Sequence, residues 1–165
     1  MIRKVVIEDA KAIVDIYNYY ILNTNITFEE EKLNQEDMEE RIKEKIKDHP
    51  WIVYEEEGQV IGYGYLGEWR SRSAYRFSKE SSIYIDVNAR GKGVGIKLYS
   101  ELIKLAVDYG YHAIVAGITI PNDASVGLHE KLGFEKIAEF KEIGFKNNEW
   151  LNVAYWQMIL DDNNK

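Results

Sequence analysis

The chain has 165 residues, with 21 Lys plus Arg against 28 Asp plus Glu, a net charge of −7 and no cysteine. One domain is expected over 1–165, with a core of about 1–160 and a short polar tail over 161–165. The acidic balance argues against a broad nucleic-acid surface, and the missing cysteines exclude disulfides, thiolate catalysis and cysteine metal sites.

No apolar run reaches the roughly 18 residues that span a bilayer, and Met1-Ile2-Arg3-Lys4 leads into patterned sequence instead of a leader, so a soluble cytoplasmic protein with no membrane partner is expected. His49, His112 and His129 stand far apart with no ligand spacing, so no structural metal is expected. The runs Glu29-Glu30-Glu31 and Glu55-Glu56-Glu57 read as solvated faces or loops.

In chain order, a short strand around residues 2–7 precedes a helix capped by Asp9, with Ile13, Ile16, Tyr17, Tyr20 and Ile21 at helical spacing. A loop over 24–31 leads to a second helix, begun by Asn34, with Met38, Ile42 and Ile46 four apart and an end before His49-Pro50. Residues 51–54 and 60–66 form a hairpin turned at Gly58. Residues 67–79 are polar, arginine-rich and irregular, and lead into a strand over 80–87.

That strand runs into Arg90-Gly91-Lys92-Gly93-Val94-Gly95, a basic glycine-rich loop that opens a helix. Gly91, Gly93 and Gly95 can take positive φ, and the first helical amides present the positive end of the dipole to an anion. The spacing is wrong for a Walker A loop, where four residues separate the glycines before Gly-Lys-Ser/Thr. It is G-x-G-x-G instead of the dinucleotide G-x-G-x-x-G, and the next strand carries no acidic residue. The helix places Leu98, Leu102, Ile103, Ala106 and Val107 inward and stops near Gly110. An almost continuous apolar run over 111–120 is a strand covered on both faces. Pro121-Asn122-Asp123 starts a short helix closed by Gly133, and strands over 134–140 and 150–160 complete the order β-α-α-β-β-β-α-β-α-β-β. The tyrosines and tryptophans, including Tyr17, Tyr20, Trp69, Trp150 and Trp156, serve core or dimer packing.

The loop fits the pattern Arg/Gln-x-x-Gly-x-Gly and resembles the acyl-CoA pyrophosphate loop of the GCN5-related N-acetyltransferases (GNAT). A second segment, Asn122-Asp123-Ala124-Ser125-Val126-Gly127-Leu128-His129-Glu130-Lys131-Leu132-Gly133-Phe134, resembles that superfamily's Asn-x-x-Ala/Ser…Tyr-x-x-x-Gly-Phe, with His129 in place of its tyrosine. Together with Lys79-Glu80-Ser81-Ser82-Ile83-Tyr84-Ile85 and Val153-Ala154-Tyr155-Trp156-Gln157, it is similar to the phosphinothricin and methionine sulfoximine acetyltransferase family. The resemblance implies the GNAT acyl-CoA N-acyltransferase fold, an α/β domain whose mixed, mostly antiparallel central sheet is flanked by helices. It also implies acetyl-CoA as cosubstrate, no metal, and a homodimer.

Carried over residue by residue, the resemblance makes Glu80 the catalytic carboxylate and His129 the active-site histidine. It gives acetyl-CoA contacts to Ile83, Tyr84, Ile85, Arg90, Gly91, Lys92, Gly93, Val94, Gly95, Ile96 and Asn122. Substrate contacts fall on Phe28, Arg70, Ser71, Arg72, Glu80, Ser81 and Ser82. Read alone, Glu80 is a surface glutamate paired to Arg76 or Lys79, and His129 a buried histidine satisfied by a backbone carbonyl.

An amine must lose a proton before it attacks a thioester, and Glu80, beside apolar Ile83 and Ile85, can accept it directly or through a water. Free amides near Tyr84 and Ile85 can hold the oxyanion. His129 is left three roles, to position substrate, to act as an alternative base, or to protonate the departing sulfur. Arg70, Arg72 or Arg76 can fork onto an acceptor carboxylate. The expected reaction is direct acetylation of the α-amine of a small amino-acid-like molecule such as phosphinothricin, methionine sulfoximine or methionine sulfone. The alternatives are another amine, a polyamine or protein N-terminus, or a non-catalytic CoA-binding module.

Overall fold

The computed structural model describes residues 1–160; the expected tail over 161–165 lies outside them. The elements are β1 (Ile2–Lys4), α1 (Ala10–Asn23), α2 (Gln35–Lys45), β2 (Trp51–Glu56), β3 (Gln59–Glu68), β4 (Ser78–Ile85), α3 (Val94–Asp108), β5 (Ala113–Ile120), α4 (Asp123–Lys131), β6 (Glu135–Lys146) and β7 (Glu149–Ile159). The seven strands form one sheet in the order β1-β2-β3-β4-β5-β7-β6. Every neighbouring pair is antiparallel except β4 with β5.

Strand alternation divides the side chains between two cores. On one face Ile52, Leu66, Ile114, Ile118 and Trp156 pack against Leu98, Leu102 and Ala106 of α3. On the other, Trp51, Val53 and Tyr63 meet Ile13, Tyr17, Tyr20 and Ile21 of α1 and Met38 and Ile42 of α2. Asn34 caps α2 as its position suggests, its side chain accepting from the Asp37 amide while Asp37 accepts from the Asn34 amide.

Three local expectations need correcting. Asp9 stands at the start of α1 but makes no side-chain cap; its carboxylate accepts two bonds at 2.8 Å from the Arg3 guanidinium and one from the Val6 amide. A buried carboxylate gains more from a bidentate charge partner than from one helical amide. The strand before the glycine loop ends at Ile85, because the Asp86 side chain accepts from the Asn88 amide and starts a tight turn over Val87–Ala89. Finally, β6 does not stop at Phe140. A bulge between Phe140 and Gly144, with Glu142 at φ 50, lets the strand rejoin β7, and Asn147 and Asn148, at φ 52 and 61, close the hairpin.

Replacing the fully buried Leu102 by Ala is expected to cost about 2–5 kcal/mol of stability through lost transfer energy and a residual cavity. Urea unfolding would report a lowered midpoint with an unchanged slope.

Candidate active site

Strands β4 and β5 pair over only three positions, Ser78 with Ala113, Lys79 with Ile114 and Glu80 with Val115. Beyond them β4 follows β3 and β5 follows β7. The gap is a cavity of about 200 Å³ that passes through the sheet. Alternation puts Ser81 and Ile83 with Ala116, Ile118, Tyr99, Leu128 and His129 at its α3 side, and Glu80, Ser82, Gly117 and Thr119 with Ile26 at the opposite side.

The glycine-rich loop lies at the far end of β4. Gly91 and Gly93 take left-handed backbone, φ 75 and 77, and Gly93 begins α3 with no side chain capping it. The opening amides of α3 therefore face outward with the helix dipole behind them. Gly95 departs from expectation, being the second residue of α3 with no positive φ. A Cβ there would stand 3.5 Å from Leu128 Cδ2 and 3.9 Å from Ile85 Cγ1, ordinary contact distances that place Gly95 between α4 and β4. The Arg90 guanidinium lies over the Tyr20 and Tyr19 rings, 5.1 and 5.6 Å from their centroids. Lys92 is exposed, Val94 buried and Ile96 half-buried. Asn122 lines the cavity and caps α4, its side chain accepting from the Ser125 amide at 3.2 Å.

Glu80 is half-buried at the cavity's mouth. Burial raises its pKa above the usual carboxylate value, opposed by the charges of Arg70 and Lys45. The pairings expected from sequence do not form: Lys79 is buried over the Tyr111 ring, and Arg76 stacks on Phe77 and donates to the Ser73 carbonyl. Among the described residues no hydrogen bond or ion pair engages the Glu80 carboxylate.

His129 is buried, edge-on to Tyr99 and Phe134. Its Nδ1 lies 2.7 Å from the Ser125 carbonyl oxygen. A carbonyl only accepts, so Nδ1 carries the hydrogen and Nε2 is left with a lone pair. Burial pushes the pKa below its usual value, only partly offset by the Ser125 bond. The ring is therefore neutral near pH 7, suited to accepting a proton or hydrogen bond at Nε2 and unsuited to giving a proton from it.

The other expected positions are scattered. Ser81 Oγ is 2.6 Å from the Tyr99 hydroxyl. Arg70 is exposed, its guanidinium 4.6 Å from the Trp69 ring centroid. Ser71 and Arg72 are exposed outside the cavity, and Arg72 precedes a tight turn over Ser73–Tyr75. The Phe28 ring covers Gly144 of β6, and Ile26 is the residue of that loop which lines the cavity. Buried Lys146 tethers the loop, donating to the carbonyls of Ile21 and Thr27 at 2.9 and 2.8 Å. Tyr99, Gly117, Ile26 and Lys146 were not singled out from sequence; an Asn-Asn turn following a lysine is the signal that could have pointed to the last. Among the described residues no cluster of three or more His, Cys, Asp or Glu could hold a metal ion.

A profile of the acetyltransferase (GNAT) domain matches residues 2–154. The chain belongs to that family. An L-amino acid N-acyltransferase of Escherichia coli is 38% identical over 158 residues, 93% of this chain and 90% of its own. An L-methionine sulfoximine/L-methionine sulfone acetyltransferase of Salmonella typhimurium is 37% identical, over 93% of this chain and 91% of its own. A phosphinothricin acetyltransferase of Sinorhizobium meliloti, solved in complex with acetyl-CoA, superposes with a TM-score of 0.94 at 37% identity, covering 98% of this chain and 89% of that one. The splayed strands, glycine loop and unpaired carboxylate are thus the candidate site of an N-acetyltransferase.

The neutral imidazole of His129 should titrate below 6.5 and carry its hydrogen on Nδ1, as nitrogen-15 chemical shifts would report. The unfolded chain binds the extra proton first, so this group's stabilising contribution is full above pH 6.5 and declines as pH falls from there through the lower folded-state pKa. A histidine that titrates at or above 6.5, or one protonated on Nε2 when neutral, would contradict this assignment.

Proposed function

We propose that the chain transfers acetyl from acetyl-CoA directly to the α-amine of a small amino-acid-like acceptor of the phosphinothricin, methionine sulfoximine or methionine sulfone type. The observation that carries this reading is the unpartnered, half-buried Glu80 carboxylate at the mouth of a through-sheet cavity that adjoins an anion-binding loop. The names of the relatives support the acceptor class. In this reading the chain is one acetyltransferase domain.

The open amides of residues 93–96 take the pyrophosphate, with Arg90, Gly91 and Lys92 beside it. Ile83, Tyr84, Ile85 and Asn122 flank the remainder of acetyl-CoA, which brings the thioester into the gap. Glu80 removes a proton from the acceptor ammonium, its raised pKa bringing it closer to the amine's. The nitrogen attacks the thioester carbon, unpaired amides on the free edge of β4 stabilise the oxyanion, and the carbon–sulfur bond breaks to release CoA thiolate, which takes up the second proton shed by the acylated nitrogen. His129, neutral with Nε2 as acceptor, orients a donor group in the gap. Arg70, whose charge reaches Glu80, receives an acceptor carboxylate, which favours an amino acid over a polyamine.

Acetyl-CoA supply supports a cytoplasmic site of action. Phe140, Ile143, Phe145 and Trp150, exposed on the β6–β7 hairpin, support a homodimer, and light scattering that returned a monomer would reject it.

Glu80→Gln is expected to lower kcat/KM by about 10²–10⁴ while acetyl-CoA affinity holds. In the unsubstituted enzyme the acidic limb of kcat/KM should lie above pH 4.5, the ordinary glutamate value, because the base form is populated only above the raised pKa. That limb should vanish in the variant. Unchanged turnover would remove Glu80 as base. Acetylation confined to peptides or polyamines, in a panel with amino acids and sulfones, would remove the small-acceptor reading.

A further inference from the structure

Glu80 and Val115 pair across the last bridged position of β4 and β5, and two residues along β5 Gly117 pairs with Tyr155 of β7. Alternation sets Glu80, Gly117 and Tyr155 on the same face, opposite α3. A Cβ on Gly117 would stand 3.7 Å from Glu80 Oε1 and 3.1 Å from Tyr155 Cε1. The missing side chain is therefore the space between the carboxylate and the ring. Nothing in the backbone demands glycine there, since its φ is not left-handed. Glycine inside a strand weakens it and marks a place where another group approaches closely. One such group is the Tyr155 ring, and because Gly117 is exposed the space beside it is open to a group from outside the chain.

The Tyr155 ring is braced. Trp69 meets it edge-on at 5.6 Å and Phe140 at 5.7 Å, and the Arg70 guanidinium lies over Trp69. A fixed aromatic wall, a bare floor and a cation thus converge beside the carboxylate.

Resting on the acceptor reading above, we infer that Gly117 and Tyr155 determine acceptor specificity: the amine crosses the bare backbone of Gly117 to reach Glu80, while the acceptor's side chain lies along the Tyr155 ring. The class of acceptor is a primary α-amine with a slender side chain, unbranched at Cβ. The ring offers an apolar face, and the floor is open because Gly117 lacks the Cβ that would stand 3.7 Å from Glu80 Oε1. Branching at Cβ or N-alkylation sets an acceptor against the floor.

The test is steady-state kinetics with methionine sulfone, a β-branched amino acid and an N-methyl amino acid, on unsubstituted enzyme, Gly117→Ala, Tyr155→Ala and Tyr155→Phe. Gly117→Ala should raise the KM for methionine sulfone by about 10-fold or more, the scale of one methylene in a substrate pocket. The KM for acetyl-CoA and the acceptor-free hydrolysis of acetyl-CoA should hold. Tyr155→Ala should raise the same acceptor KM, and Tyr155→Phe should rescue it. The unsubstituted enzyme should prefer methionine sulfone to both other acceptors. Gly117→Ala and Tyr155→Ala variants that keep the acceptor KM would overturn this wall and leave the acetyltransferase reading standing. An unsubstituted enzyme that acetylates no α-amino acid would remove both.

Discussion

Where two parallel strands part company, their facing backbone groups lose their partners, and the rest of this site is arranged around that loss. The pairing of β4 with β5 ends at Glu80 and Val115, while β4 stays with β3 as far as Ile85 and β5 stays with β7 as far as Ile120. Buried amides and carbonyls without partners are costly, so a free edge inside a fold calls for a ligand, water or side chain. One group on this edge is already met, the Ile85 carbonyl accepting from the Tyr20 hydroxyl at 2.5 Å. The glycine loop, α3 and α4 then frame the gap from one side, and the loop carrying Ile26 frames it from the other.

Burial acts on the two titratable groups at this gap in opposite directions for one reason. Low polarity disfavours whichever form is charged, so Glu80 holds its proton to higher pH while His129 gives its proton up at lower pH. The Ser125 carbonyl also fixes which nitrogen of His129 keeps its hydrogen. From sequence alone the histidine had three open roles. The tautomer narrows them, because a neutral ring with a bare Nε2 has no proton to offer the departing sulfur.

The fold was legible because its signals are periodic. Alternation marked the strands, 3.6-residue spacing marked the helices, and the element order followed. Local expectations failed where one side chain's bonds overrode the pattern: Arg3 drew Asp9 away from capping, and the Asp86 side chain ended β4 early. The glycine loop was legible because it is built from contiguous backbone, residues 90–96, whose spacing is itself the geometry. The surroundings of Glu80 were not, because they are assembled across the sheet. Gly117 and Tyr155 come from different strands and meet Glu80 only through register, while Phe28, plausible by position, lies on Gly144. Lys146 is more distant still, a hairpin lysine that holds the Ile26 loop through two carbonyls.

If the thioester lies in the opening between β4 and β5, amide hydrogen exchange with and without acetyl-CoA reports it directly. Bound acetyl-CoA should slow exchange of the Ile83 and Ile85 amides, which face the free edge of β4, as well as over residues 91–96 of the loop. Protection confined to the loop, with the β4 edge exchanging as before, would contradict it.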